Sequence, residues 1–182
     1  MIKFPSCTLI CSPPKAGKTH AVKYFVYTAC KAKEFDYVTL ICAGGAIENG
    51  EYDWIPEESR HDTYEDSFIT DDMEYNLKHP KVSSCLIIDD FIGTVNLANN
   101  ATFNKLITTH RKSRISIFLI THYLKKHLST VIRTCCQYGM WFRVTDKESL
   151  QCLYDSFGQV RPGSFKDFVK WNQTNLPKKY QF

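Results

Sequence analysis

The segment between residues 12 and 19 reads SPPKAGKT, and its second half contains the residue types that bind nucleotide phosphates. A phosphate-binding loop follows the pattern Gly, four residues, then Gly-Lys-Ser/Thr. In that pattern the second glycine lets the backbone approach the phosphate, the lysine reaches the β- and γ-oxygens, and the hydroxyl binds Mg²⁺. Gly17, Lys18 and Thr19 occupy these three positions, whereas Ser12 stands where the first glycine is expected.

The departure at Ser12 concerns a bend in the chain rather than a phosphate contact. The first glycine chiefly permits a tight turn out of the preceding strand, and Ser12-Pro13-Pro14 can fix that turn through the restricted φ angle of proline. We therefore predict that nucleotide is bound by the whole loop, which consists of Ser12, Pro13, Pro14, Lys15, Ala16, Gly17, Lys18 and Thr19. A fortuitous turn that starts the next helix is the alternative.

Two carboxylates follow an apolar run, Ser84 to Ile88, and suggest a metal site. In a nucleotide hydrolase Asp89 would bind Mg²⁺ together with Thr19, and Asp90 would orient or deprotonate the attacking water. Glu is the usual residue in the second role, so the shorter Asp90 requires a closer water or help from another group. The alternative is that both carboxylates cap the following helix.

A basic cluster and a histidine flank a later apolar run, residues 115–121. Hydrolysis requires positive charge on the transferred phosphoryl group, and we predict that Arg111 supplies it to the nucleotide of a neighbouring subunit. Arg114 and Arg133 are further candidates, and nucleic-acid contact is the alternative role of the cluster. His122 is predicted to sense the γ-phosphate, against the simpler alternative of a hydrogen-bonded structural histidine.

The pattern of apolar residues alternates between strands and helices along the chain. Continuous apolar runs predict five core strands, at residues 7–11, 37–42, 84–89, 115–121 and 138–144. Helical spacing predicts helices at 18–33, 71–78, 97–112, 124–134 and 147–157, with a last helical turn at 165–171. Such alternation predicts an α/β fold with a mostly parallel sheet covered by helices on both faces. We expect one domain, with a core at about 4–157 and a short extension at 158–182.

The net charge of +4 is distributed unevenly. Residues 48–74 contain eleven acidic residues and one base, Arg60, whereas residues 91–145 contain eight bases and no acid. The second stretch suggests a surface that attracts polyanions, and a mixed solvated surface is the alternative. The predicted nucleic-acid contacts are Lys112, Arg114, Lys125 and Lys126.

Cysteine usage and hydropathy indicate the compartment. The eight cysteines contain no CxxC pair and fall mostly within apolar runs, which favours buried thiols over a disulfide framework or a zinc site. The longest strongly apolar run, residues 115–120, is far shorter than a membrane span. The amino-terminal residues lack the apolar core of a signal peptide, so we expect a cytosolic or nuclear protein without a membrane partner.

The order of these parts resembles the genome-packaging ATPases of the FtsK/HerA superfamily, found in poxviruses and other large eukaryotic DNA viruses, virophages and Polinton-like elements. The resemblance spans about residues 4–157 and rests on the loop and on the segments SCLIIDDFIG, THRKSRISIFLITHYL and VIRTCCQYGMWF. It implies a P-loop NTPase fold with loop 12–19, the pair Asp89 and Asp90, the trans-acting Arg111 and the sensor His122. The chain departs from the family pattern at Ser12, at His122, where Gln is common, and in a shorter carboxyl-terminal part.

The resemblance also implies an activity and partners. The expected protein is an oligomeric ring that hydrolyses ATP with Mg²⁺ and moves double-stranded DNA into a capsid. Its expected partners are the DNA and proteins of the capsid vertex or portal, and its expected place is the assembly site in the host cytoplasm or nucleus, or the virion. The alternatives are a helicase or conjugation-type ATPase, a small nucleotide kinase, and a regulatory nucleotide-binding module without turnover.

Overall fold

The central feature of the computed structural model is a parallel β-sheet. The structure describes residues 2–11, 13–43, 45–90, 97–122, 129–158 and 163–176. Within them six strands form one sheet in the order β3-β2-β4-β5-β1-β6, and every pairing is parallel. The strands are β1 (Cys7–Cys11), β2 (Tyr37–Cys42), β3 (Arg60–His61), β4 (Ser84–Asp89), β5 (Ile115–Thr121) and β6 (Tyr138–Trp141). The predicted parallel sheet is therefore confirmed, and the strand β3, which was not predicted, lies within the acidic segment 48–74.

The helices connect the strands and run back across the sheet. They are α1 (Lys18–Lys31), α2 (Asp66–Lys78), α3 (Ala101–Thr109), α4 (Thr130–Cys135), α5 (Lys147–Phe157) and α6 (Phe165–Asn175). The starts of α1, α5 and α6 agree with the sequence prediction, whereas α2 begins at Asp66 instead of residue 71 and α3 at Ala101 instead of residue 97. Residues 124–128 of the predicted fourth helix lie outside the described residues. The Asn100 side chain accepts a hydrogen bond from the Phe103 N–H and starts α3 after a separate 3-10 turn at Leu97–Asn99. Ser129 caps α4 in the same way, and the Ser164–Asp167 capping box starts α6.

The hydrophobic core lies on both faces of the sheet, as predicted, but the two faces are covered differently. Side chains of α2, α3, α4, α5 and α6 pack on one face. The other face is covered by α1 and by residues of the connection after β2, including Tyr52 and Ile55. Every residue of β1, β4 and β5 is buried, as expected for central strands of a parallel sheet.

The strand order determines where the predicted site residues meet. Because all strands are parallel, their carboxyl ends lie at one edge of the sheet, here called the carboxyl edge, and their starts form the opposite amino edge. Strand β5 lies between β1 and β4, with Thr121 beside Cys11 and Ile120 beside Asp89. The carboxyl end of β5 therefore separates the loop that follows β1 from the carboxylates that follow β4.

Two sequence predictions concern burial and membrane spans. Six of the eight cysteines are buried, including Cys7, Cys11, Cys42 and Cys85, which confirms the prediction of buried thiols at those positions. Among the helices that the structure describes, none combines the length and the apolar character needed to cross a bilayer.

Candidate active site

The loop after β1 presents backbone N–H groups to the carboxyl edge. Gly17 immediately precedes α1 and adopts a φ of 97°, a left-handed conformation that favours glycine. No side chain caps the start of α1, and the backbone N–H groups of a first helical turn are the kind of donors that bind anions. Lys15 is also left-handed, with a φ of 57°. Of the predicted loop, Ser12 lies outside the described residues.

Lys18 is almost completely buried at the start of α1, with 6% of its surface exposed. Its ammonium lies 3.2 Å from the Pro13 carbonyl oxygen and 2.8 Å from Nδ1 of His122. Burial lowers the pKa of Lys18, and the negative charges of Asp89 and Asp90 oppose that shift. The side chain is therefore held at the end of β5, facing the two carboxylates.

Asp89 ends β4 and is 7% exposed. The Tyr52 hydroxyl donates to its Oδ2 at 2.6 Å. Burial raises the pKa of Asp89 to about 6, and the hydrogen bond from Tyr52 and the charge of Lys18 limit the rise. A buried carboxylate requires cationic or hydrogen-bonding partners, and a divalent cation would be one.

Asp90 and His122 face each other across the carboxyl edge. Asp90 adopts a φ of 57°, which turns its partly exposed carboxylate out of the strand direction. Its Oδ1 lies 3.6 Å from Nε2 of His122, which is longer than a good hydrogen bond. Nδ1 of His122 faces the Lys18 ammonium, and the other ring nitrogen, Nε2, faces Asp90.

These residues line one cleft of about 440 Å³, large enough for the phosphates of a nucleotide. Among the predicted residues, it brings together Pro14, Lys15, Ala16, Gly17, Lys18, Thr19, Asp89, Asp90 and His122. Thr19 and Asp89 supply the oxygen ligands that Mg²⁺ prefers, and the buried Asp89 carboxylate is a group that such a cation would stabilise. The residues present therefore fit a Mg²⁺ ion shared with nucleotide phosphates.

Sequence reasoning missed two residues of the site, Glu51 and Tyr52. Glu51 lines the cleft, and the Tyr52 hydroxyl donates a hydrogen bond to the Asp89 carboxylate. Both belong to the connection between β2 and β3, which folds back over the carboxyl edge. The acidic character of that segment was recognised, but nothing in its residue pattern indicates that it returns to the site.

The basic residues predicted for trans catalysis and nucleic-acid contact lie elsewhere. Arg111 and Lys112 are exposed at the amino edge, between the buried residues His110 and Ser113. Strand β5 separates them from His122 by about 20 Å, because the six steps between its first and last residues rise about 3.3 Å each. Lys125 and Lys126 lie outside the described residues.

The guanidinium groups of two other arginines donate hydrogen bonds to other parts of the same chain. Arg114 donates from Nε to the Val82 carbonyl and from Nη2 to the His79 carbonyl, at 2.8 and 3.1 Å. Arg133 donates from Nη1 to Cys152 Sγ at 3.0 Å. Both side chains therefore stabilise connections between elements, and a phosphate contact by Arg114 would use its remaining donors.

The raised pKa of Asp89 predicts that Mg²⁺-dependent nucleotide binding weakens in acid. Above pH 6 the carboxylate is ionised and able to bind the cation, whereas below pH 6 a proton competes with the metal. We expect the Mg²⁺-dependent affinity for a fluorescent ATP analogue to fall about tenfold per pH unit below 6. The stability of the metal-free protein should change with pH in the opposite direction. A raised carboxyl pKa makes the free energy of unfolding decrease as the pH rises from about 4 to about 6.

The control for this prediction is Asp89→Asn, which has no proton to lose at this position. ATP also binds a proton near this pH, so the variant gives the pH dependence that belongs to the nucleotide alone. Equal pH dependence of Mg²⁺-dependent binding in the natural protein and in Asp89→Asn would contradict the prediction.

Comparison with solved structures identifies the fold. The structure of the genome packaging NTPase B204 from Sulfolobus turreted icosahedral virus 2 in complex with AMP superimposes with a TM-score of 0.70 at 13% identity, covering 98% of this chain and 91% of that chain. B204, the DNA-packaging ATPase from Sulfolobus turreted icosahedral virus, gives a TM-score of 0.69 at 15% identity with the same coverage. The B204 complex with AMPPCP gives 0.66 at 13% identity, covering 98% and 91%.

The chain therefore has an α/β fold of the P-loop NTPase type, shared with B204, and the resemblance inferred from the motifs is confirmed at the level of the fold. No protein-family model matches the sequence. No curated protein matches it either.

Proposed function

We propose that this chain is a Mg²⁺-dependent ATPase that drives double-stranded viral DNA into a capsid. The observation that carries the proposal is the convergence of Lys18, Thr19, Asp89, Asp90 and His122 on one cleft at the carboxyl edge. They lie at or after the ends of three adjacent parallel strands, and Lys18, Thr19 and Asp89 have the side chains that their predicted roles in phosphoryl transfer require. The packaging function of B204, a protein of the same fold, supports the extension to DNA.

The geometry suggests how nucleotide would change the site. The N–H groups at the start of α1 and the Lys18 ammonium would bind the phosphates, and Mg²⁺ held by Thr19 and Asp89 would neutralise their charge. To reach a phosphate oxygen, Lys18 would exchange its contact with His122 Nδ1 for the nucleotide. His122 would then sense the γ-phosphate, while Asp90 orients the attacking water.

The placement of charge supports a DNA contact away from the nucleotide. The carboxyl edge includes Glu51, Asp89 and Asp90, and this negative charge disfavours a second polyanion beside the nucleotide. The amino edge exposes Arg111 and Lys112 instead. Lys112 is the described residue that we favour for a phosphate contact, and the roles of Lys125 and Lys126 remain predictions from the sequence.

The position of Arg111 supports a ring of subunits. At about 20 Å from the cleft of its own chain, this arginine can serve catalysis only in a neighbour whose carboxyl edge faces it. Such a head-to-tail contact joins two different surfaces, and it closes into a ring when the rotation between subunits permits. Contact with capsid vertex or portal proteins, and a location at the assembly site in the host cell or in the virion, complete the proposal.

The ATPase rate as a function of protein concentration, measured with and without DNA, tests the proposed function. If neighbouring subunits complete the site, the rate per subunit rises steeply with concentration, and double-stranded DNA increases it further. Absence of phosphate release at high concentration with DNA, in protein shown to be folded, would exclude an ATPase. Stimulation by single strands alone would indicate a helicase instead.

A further inference from the structure

Tyr52 reaches the proposed metal site from inside the core. Its side chain has no exposed surface, and its ring packs with the residues that cover the α1 face of the sheet. The hydroxyl donates to Asp89 Oδ2 at 2.6 Å, the short distance typical of a hydrogen bond to an ionised carboxylate. A large aromatic ring in the core thus places one polar atom against the carboxylate that ends β4.

The Tyr52 hydroxyl is also near the side chain of a second predicted metal ligand, Thr19. Burial and the charge of Asp89 raise the pKa of Tyr52, and a hydrogen bond with the Thr19 side chain opposes that rise. The hydrogen bond to Asp89 is the geometric observation from which the role of Tyr52 is argued.

We propose that Tyr52 is a positioning residue of the Mg²⁺ site. By occupying Oδ2, the hydroxyl fixes the orientation of the Asp89 carboxylate and leaves Oδ1 as the oxygen available to the metal. Outer partners of this kind orient metal ligands, and losing one commonly costs about 10- to 100-fold in metal affinity. The inference rests on the proposed function, because it takes Asp89 as a Mg²⁺ ligand.

The hydrogen bond also links two parts of the chain. The segment 45–56, which contains Tyr52, covers the core beside α1 and contributes Glu51 to the cleft. Within this segment the Glu51 N–H donates to the Ala46 carbonyl at 3.0 Å, so the backbone next to Tyr52 is itself held. Tyr52 thus fastens the segment to β4 at the point where the metal is proposed to bind.

The test is Tyr52→Phe, which keeps the ring in the core and removes only the hydroxyl. Binding of a fluorescent ATP analogue is measured over a range of Mg²⁺ concentrations and also without Mg²⁺. We expect the Mg²⁺ concentration for half-maximal binding to rise about tenfold or more, while the affinity without Mg²⁺ stays unchanged. Tyr24→Phe, which removes the hydroxyl of a tyrosine that is 65% exposed on α1, is the matched control and should behave as the natural protein.

Two results would overturn the inference. One is an unchanged Mg²⁺ requirement in folded Tyr52→Phe, and the other is an equal loss of binding with and without Mg²⁺, which indicates a structural role only. If the natural protein itself shows no Mg²⁺-dependent binding, the proposed function fails instead.

A second measurement covers the case in which Tyr52→Phe does not fold. Fluorotyrosine placed at position 52 keeps both ring and hydroxyl, and its fluorine resonance should move when Mg²⁺ is added to the nucleotide complex. The same label at position 24 should not respond. A label at position 52 that does not respond either would overturn the inference.

Discussion

Arg111→Ala is expected to lower the ATPase rate by about 10³- to 10⁵-fold while leaving nucleotide affinity nearly unchanged. The side chain is exposed at the amino edge, and the buried residues His110 and Ser113 hold the short connection that presents it. It lies too far from the cleft of its own subunit to contact that nucleotide. The loss should therefore appear in the steady-state rate at saturating ATP and not in the binding of a fluorescent analogue.

The control for Arg111→Ala is Lys105→Ala, which removes another exposed cation from the preceding helix α3. Mixing two inactive variants gives a sharper test. In a mixed ring, a Lys18→Ala subunit still offers Arg111 to an Arg111→Ala neighbour whose cleft is intact, so part of the activity should return. If mixing restores nothing although both variants assemble, or if Arg111→Ala loses nucleotide binding, the trans role is wrong.

Lys18→Ala is expected to abolish measurable hydrolysis, with a loss of at least about 10²- to 10³-fold. The ammonium is the buried cation that lies beside His122 and faces both Asp89 and Asp90. Without it, the β- and γ-oxygens lose their lysine contact, and nucleotide binding should weaken as well. Phosphate release under saturating ATP and DNA, together with analogue binding, measures both effects.

The control for Lys18→Ala is Lys23→Ala, which removes an exposed lysine from the same helix. Both variants should show similar thermal unfolding curves if the loss in Lys18→Ala is chemical. If the Lys18→Ala protein hydrolyses ATP at the natural rate, the loop has no part in the mechanism.

The sequence predicted the central strands accurately because each is a continuous apolar run that a parallel sheet buries on both sides. The bounds of β1 and β5 agree with the prediction residue by residue. The starts of α1, α5 and α6 also agree with the prediction, but α3 begins four residues late because the single polar side chain of Asn100 caps it. A periodicity of apolar residues indicates that a helix exists, but not which nearby asparagine or serine caps it.

The sequence predicted the site residues that lie at or shortly after the ends of strands. Asp89 and His122 come directly after apolar runs, Lys18 follows another one after the loop 12–17, and parallel strands bring such positions to one edge. The position of β5 between β1 and β4 could not be read from the sequence, because a helical crossover can join neighbouring or more distant strands. Tyr52 was missed for a related reason, since its role depends on a connection that returns to the site from the far side of β2.

Strand β5 carries the proposed γ-phosphate sensor, His122, at one end and follows Arg111 at the other. It is paired with β1 along residues 117–121 and with β4 along residues 115–120. A strand held in this way cannot slide without breaking both ladders, so its two ends move as one rigid body. In the proposed ring, the rigid strand β5 would therefore couple the nucleotide state sensed by His122 in one subunit to the position of Arg111 at the next. Such coupling would make ATP hydrolysis in successive subunits sequential rather than independent.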